Sequence, residues 1–128
     1  DAVVVALGGN DMLRGLPPEA VRANLDGILT TADARGVPVL LAGMKAPGNF
    51  GPDYKAAFDA VYPDLATAHG AILLDSFTAP VQDALQDGAS QADLVQPDGI
   101  HPSRAGVAMI VQAIGPKVME LAARARAD

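Results

Sequence analysis

Apolar residues fall along this chain in two patterns. Three short continuous runs, at residues 2–7, 37–44 and 71–75, are rich in Val, Leu and Ile. Such runs are the signature of strands buried on both faces of a parallel sheet. Between them, apolar positions recur at helical spacing. Val21, Leu25, Ile28, Leu29 and Ala32 share one face of a stretch opened by Pro17-Pro18-Glu19 and ended by Gly36, which predicts a helix with proline in its first turn. Phe58, Val61, Tyr62 and Leu65 mark a second helix over 54–69, where Pro63 predicts a kink or restart. A short helix plus loop is expected over 78–92. The last helix follows His101-Pro102 and carries Val107, Ile110, Val111, Ile114, Val118 and Leu121 on one stripe. Strand and helix alternate, so the pattern predicts an α/β fold with parallel strands and right-handed crossovers.

Three strands are few for that layout, and the first begins at residue 2. A strand buried on both faces and both edges needs neighbours. The expectation is therefore a sheet missing its first strands, with residues 1–128 forming the C-terminal portion of a single domain.

Composition narrows the function classes. At 128 residues with half of them apolar, the chain suits one core. A net charge of −6 without any basic run argues against nucleic acid. No apolar run approaches the roughly 18 residues of a membrane span, so none is expected. The absence of cysteine excludes disulfides and thiolate nucleophiles, and two histidines supply a metal site poorly.

Two stretches carry candidate chemistry. Gly8-Gly9-Asn10-Asp11 closes the first strand, at the sheet end where open α/β folds place their sites. The next glycine is Gly15, so the dinucleotide spacing fails; the same four residues also suit a plain turn. Asp98-Gly99-Ile100-His101-Pro102 lies in a Pro/Gly-punctuated loop before the last helix. A carboxylate three residues before an imidazole can fix its tautomer and leave the other nitrogen free to take a proton. An isolated Asp-x-x-His is more often a turn and helix-entry pair. Both stretches belong to the same rim of a parallel sheet, and an amide at Asn10 with backbone N–H groups at Gly8 or Gly9 could hold an oxyanion. The other histidine, His69 before Gly70, reads as a structural residue at a helix C-terminus.

Taken together, Val5-Ala6-Leu7-Gly8-Gly9-Asn10-Asp11 and Asp98-Gly99-Ile100-His101-Pro102 resemble two sequence blocks of the SGNH (GDSL) hydrolases. Leu13-Arg14-Gly15 and the loop Ala46-Pro47-Gly48-Asn49-Phe50-Gly51 resemble their bacterial arylesterase, acyl-CoA thioesterase and lysophospholipase branch. The resemblance implies a flavodoxin-like three-layer α/β/α sandwich and hydrolysis of aryl esters, short-chain esters, lysophospholipids or acyl thioesters through an acyl-enzyme. It makes Asn10 the oxyanion amide, His101 the base and Asp98 its orienter. No cofactor or metal is implied, and a periplasmic or secreted location is favoured. Gly8, Gly9, Met12, Leu13, Ala46, Pro47 and Ile100 become candidates for the substrate-binding wall.

The family's nucleophilic serine, in a Gly-Asp-Ser-Leu block, has no counterpart here. Ser76, Ser90 and Ser103 do not match it, and Ser103 reads as a helix cap. The expectation is that an N-terminal segment of the same protein supplies the serine and that this chain alone is inactive. One alternative is a non-catalytic binding or partner subunit that offers an exposed sheet edge. Another, acyl transfer to a hydroxyl other than water, uses the same residues.

Overall fold

The three apolar runs extend as β1 (Val3–Val5), β2 (Val39–Ala42) and β3 (Ile72–Leu74), hydrogen-bonded in parallel in that order. The computed structural model describes residues 1–127. Val4 lies beside Leu40, which lies beside Ile72, so the strands are in register across the sheet. The helices are α1 (Gly9–Leu13), α2 (Pro18–Asp33), α3 (Pro52–Ala68), α4 (Ala79–Gln86), α5 (Gln91–Leu94) and α6 (Arg104–Ala127).

Alternation along β2 sorts the layers. Val39 and Leu41 point into one core with Val21, Leu25 and Leu29 of α2 and Phe58, Val61 and Tyr62 of α3. Leu40 points the other way, where with Ile72 it meets Leu121 of α6. Two helices on one face and α6 on the other make a three-layer α/β/α sandwich. A third cluster of Val81, Leu94 and Ile110 fastens α4 and α5 to α6. Each fully buried Leu or Val here contributes about 1.5–3 kcal/mol.

β1 departs from the sequence expectation. Val5 is buried, but Val3 is 38% and Val4 45% exposed. Among the described residues β1 lies at the edge of the sheet, and α6 packs mainly over β2 and β3. α3 also differs, running unbroken through Pro63. The lost backbone bond sits within a helix held by Phe58, Val61, Tyr62 and Leu65 on its buried face. α6 likewise continues through Pro116. By length and composition alone α6 is long and apolar enough to cross a membrane. In the fold its Ile110 and Leu121 are core residues.

His69 caps the C-terminus of α3 and ties it to α2. Its Nδ1 lies 2.5 Å from Asp33 and its Nε2 2.9 Å from Asp26, with the ring 12% exposed. The two carboxylates, Asp33 foremost, raise the imidazole pKa above its ordinary value. Both ring nitrogens then donate, a structural use of this histidine.

Candidate active site

The turn after β1 is built by Gly8, whose φ of 111° lies in the region glycine favours. The chain then enters α1 directly, so the expected turn is a short helix with Asn10 in its first turn. The tip of Tyr62 explains the glycine further. A Cβ on Gly8 would fall on the Tyr62 hydroxyl, which donates to the Leu7 carbonyl at 3.0 Å. Burial, then the nearby Asp11 carboxylate, pushes the Tyr62 phenol well above its usual range. It therefore stays a donor.

Across the rim, residues 95–103 form a closed loop. Val95 and Pro102 make an antiparallel bridge, the Gln96 amide donates to the His101 carbonyl at 2.8 Å, and the Gln96 side chain donates to the Pro102 carbonyl at 3.0 Å. Gly99, at φ 70°, lets the chain reverse inside it. Asp98 fills this loop. One carboxylate oxygen accepts the amides of Ile100 and His101 at 2.9 and 3.0 Å, while the other lies 2.6 Å from His101 Nδ1. A carboxylate only accepts, so the proton sits on Nδ1 and Nε2 is left as the free base. The imidazole bond, followed by the two amides, holds the Asp98 pKa down to about 2. Asp98 is thus anionic at any pH where a histidine base would operate. Ser103 starts α6, accepting from the Gly106 amide at 3.2 Å and donating to the Asp93 carbonyl.

Asn10 and His101 line one cleft of about 580 Å³ at the carboxyl ends of the strands. Gly8, Gly9, Met12, Leu13 and Ile100 line it too. Ala46 and Pro47, the other two candidates for the substrate wall, are not among its lining residues. Ala46 is 2% exposed in the α2–α3 core, its amide donating to Asp59 and its carbonyl accepting from Lys55, both at 2.7 Å. Pro47, beside it, is exposed and opens the 3-10 turn Gly48–Phe50. Met44, Phe77 and Thr78 are among the cleft's other lining residues. Their signal was available: they follow β2 and β3 at the same rim.

The cleft can orient a neutral imidazole and offer an amide donor, in a largely apolar surround. Among the described residues no serine lines it. Ser76 has its hydroxyl buried without a partner, Ser90 is exposed ahead of α5, and Ser103 is the cap of α6. No group of three or more His, Cys, Asp or Glu that could hold a metal occurs among the described residues.

Residues 1–109 match the model of the GDSL-like Lipase/Acylhydrolase family. Esterase TesA of Pseudomonas aeruginosa is 37% identical over 119 residues, covering 93% of this chain and 56% of that protein. Thioesterase 1/protease 1/lysophospholipase L1 of Escherichia coli K12 is 37% identical over 80% of this chain and 46% of its own length. The crystal structure of TesA superposes with a TM-score of 0.80 at 37% identity, covering 94% of this chain and 63% of that one. The chain spans about half the length of the curated relatives it matches.

Proposed function

This chain belongs to the GDSL-like lipase/acylhydrolase family, and we propose that it supplies the base, orienter and oxyanion side of a serine esterase or thioesterase site. In this reading residues 1–128 are the C-terminal portion of one hydrolase domain. The nucleophilic serine stands on an N-terminal segment outside these residues. The observation that carries the reading is the 2.6 Å bond between Asp98 and His101 Nδ1, on a cleft that Asn10 shares.

The chemistry follows from that arrangement. The serine oxygen attacks the acyl carbonyl carbon as His101 Nε2 takes its proton, and Asp98 faces the imidazolium that forms. The Asn10 amide, with an N–H of Gly8 or Gly9, donates to the oxygen as it gains charge. Collapse expels the alcohol or thiol, which leaves with the proton from His101. Water then repeats the attack on the acyl-enzyme, regenerating serine and releasing the acid. The apolar wall of Met12, Leu13 and Ile100 suits an acyl chain over a charged substrate.

The test is p-nitrophenyl acetate hydrolysis by this chain alone and by the chain joined to its N-terminal segment. Activity on joining, cut about 10²–10³-fold in kcat by Asn10→Ala, is the expected result. No activity in either form would overturn the reading, and an unchanged rate in Asn10→Ala would remove Asn10 from the oxyanion role. The exposed Val3 and Val4 on edge strand β1 favour one rival, a binding subunit that pairs this edge with another strand. That rival requires no hydrolysis in either form.

A further inference from the structure

α1 carries Asn10 yet has little of its own to fix its pose. It is five residues long, has no buried residue and no side-chain cap. A helix that short is unstable by itself. Only Met12 packs, half-buried, against the main core. Its two ends are a different matter. Before α1, the Tyr62 hydroxyl donates to the Leu7 carbonyl at 3.0 Å. After it, the Tyr54 hydroxyl donates to the Leu16 carbonyl, also at 3.0 Å. Both tyrosines come from α3, eight residues and so about 12 Å apart along its axis.

Between and beyond them the rings form a ladder. Phe50, Tyr54, Phe58 and Tyr62 recur every four residues, with successive ring centres 5.1, 6.0 and 5.8 Å apart. The ladder touches backbone at both ends. A Cβ on Gly8 would fall on the Tyr62 hydroxyl, and one on Gly15 would lie 2.8 Å from the Phe50 ring. Phe58 and Tyr62 are fully buried, so that end of the ladder is set in the core, while Phe50 at the other end is 43% exposed.

We infer that Tyr62 and Tyr54 are positioning residues that clasp residues 7–16 at both ends and thereby aim the Asn10 amide into the cleft. The inference rests on the reading of Asn10 as an oxyanion donor. Asp11 lies near both phenols, and burial followed by this charge raises each above its ordinary value. A misplacement of about 1 Å in such a donor can cost about 10²-fold in rate. Removing one hydroxyl therefore acts on turnover through Asn10, with substrate affinity left alone.

A double-mutant cycle tests this in the full-length protein with p-nitrophenyl acetate. Tyr62→Phe is expected to lower kcat about tenfold, with KM changed less than about twofold and Tyr54→Phe having a smaller effect. In an Asn10→Ala background, Tyr62→Phe should lower kcat clearly less than it does in the parent, because the side chain it aims is gone and only the Gly8 or Gly9 N–H remains to be displaced. An equal fall in both backgrounds would overturn the inference, since a merely structural tyrosine acts regardless of residue 10. Hydrogen exchange gives a second readout that needs no activity. Amides of residues 9–14 should exchange faster in Tyr62→Phe while α2 and α3 stay protected. Unchanged exchange there, or an equal rise throughout α3, would refute the clasp. If Asn10→Ala itself leaves kcat unchanged, the reading of Asn10 as an oxyanion donor fails, while the exchange experiment still decides the clasp.

Discussion

Gly8→Ala exposes the turn that precedes Asn10 to a calculation with a sign as well as a size. The backbone at φ 111° costs a residue with a Cβ about 1–2 kcal/mol. The new methyl group falls on the Tyr62 hydroxyl, whereas the next atoms, Tyr62 Cζ at 3.5 Å and Val21 Cγ1 at 3.6 Å, are at ordinary contact. The whole clash is therefore with one oxygen. Driving the phenol back into a packed core and off the Leu7 carbonyl adds about 1–3 kcal/mol. Gly8→Ala should lose about 2–5 kcal/mol in all, the sum of those two ranges.

Tyr62→Phe alone gives up one part-buried hydrogen bond, about 0.5–1.5 kcal/mol. Combined with Gly8→Ala, it removes the oxygen that the methyl group strikes. What remains is the backbone strain and the hydrogen bond counted once, about 1.5–3.5 kcal/mol. The second substitution, harmful by itself, should thus be neutral or restore about 1 kcal/mol in the Gly8→Ala background. Urea unfolding of the four proteins measures this, provided the m-values agree. If Tyr62→Phe costs as much in the Gly8→Ala background as in the parent, the hydroxyl is not what makes residue 8 a glycine. If Gly8→Ala is within about 0.5 kcal/mol of the parent, the strain argument fails too.

Asp98→Asn should keep the loop folded, because an amide oxygen can still accept from the Ile100 and His101 amides. It should lower kcat about 10³–10⁴-fold by leaving the proton of His101 on the wrong nitrogen; a loss below tenfold in p-nitrophenyl acetate turnover would remove Asp98 as orienter. His69 gives a pH-dependent stability. Its folded pKa is raised by Asp33 and Asp26, so its contribution is complete below its unfolded pKa of about 6.5 and is lost as pH rises through the higher folded value. Urea unfolding should show His69→Gln as clearly more costly at pH 5.5 than at pH 9, and an equal cost at both would contradict the ion-pair reading.

How far the sequence alone reaches depends on whether a feature is written locally. Strand β2 and the helical stripes of α2 and α3 were legible because burial on both sides, or on one face, repeats with a fixed period. The Asp98–His101 pair was legible because three residues and a glycine nearly fix its geometry. What was missed depends on the neighbour rather than the residue. Val3 and Val4 read as core by their type, but whether a strand is covered is decided by where α6 crosses the sheet. Ala46 read as part of an acyl wall by position in a glycine-rich loop, yet Lys55 and Asp59, one and two turns into α3, bond its carbonyl and amide and hold it in the core. Tyr62 was invisible as anything but core and Tyr54 as anything but the start of the helix, since their rings follow the four-residue spacing of α3 and only their hydroxyls leave it. Those two oxygens each meet a main-chain carbonyl 38 or 55 residues distant. A helical stripe says which face is buried; it cannot say that the polar tips of two of its rings are holding the far strand's exit in place.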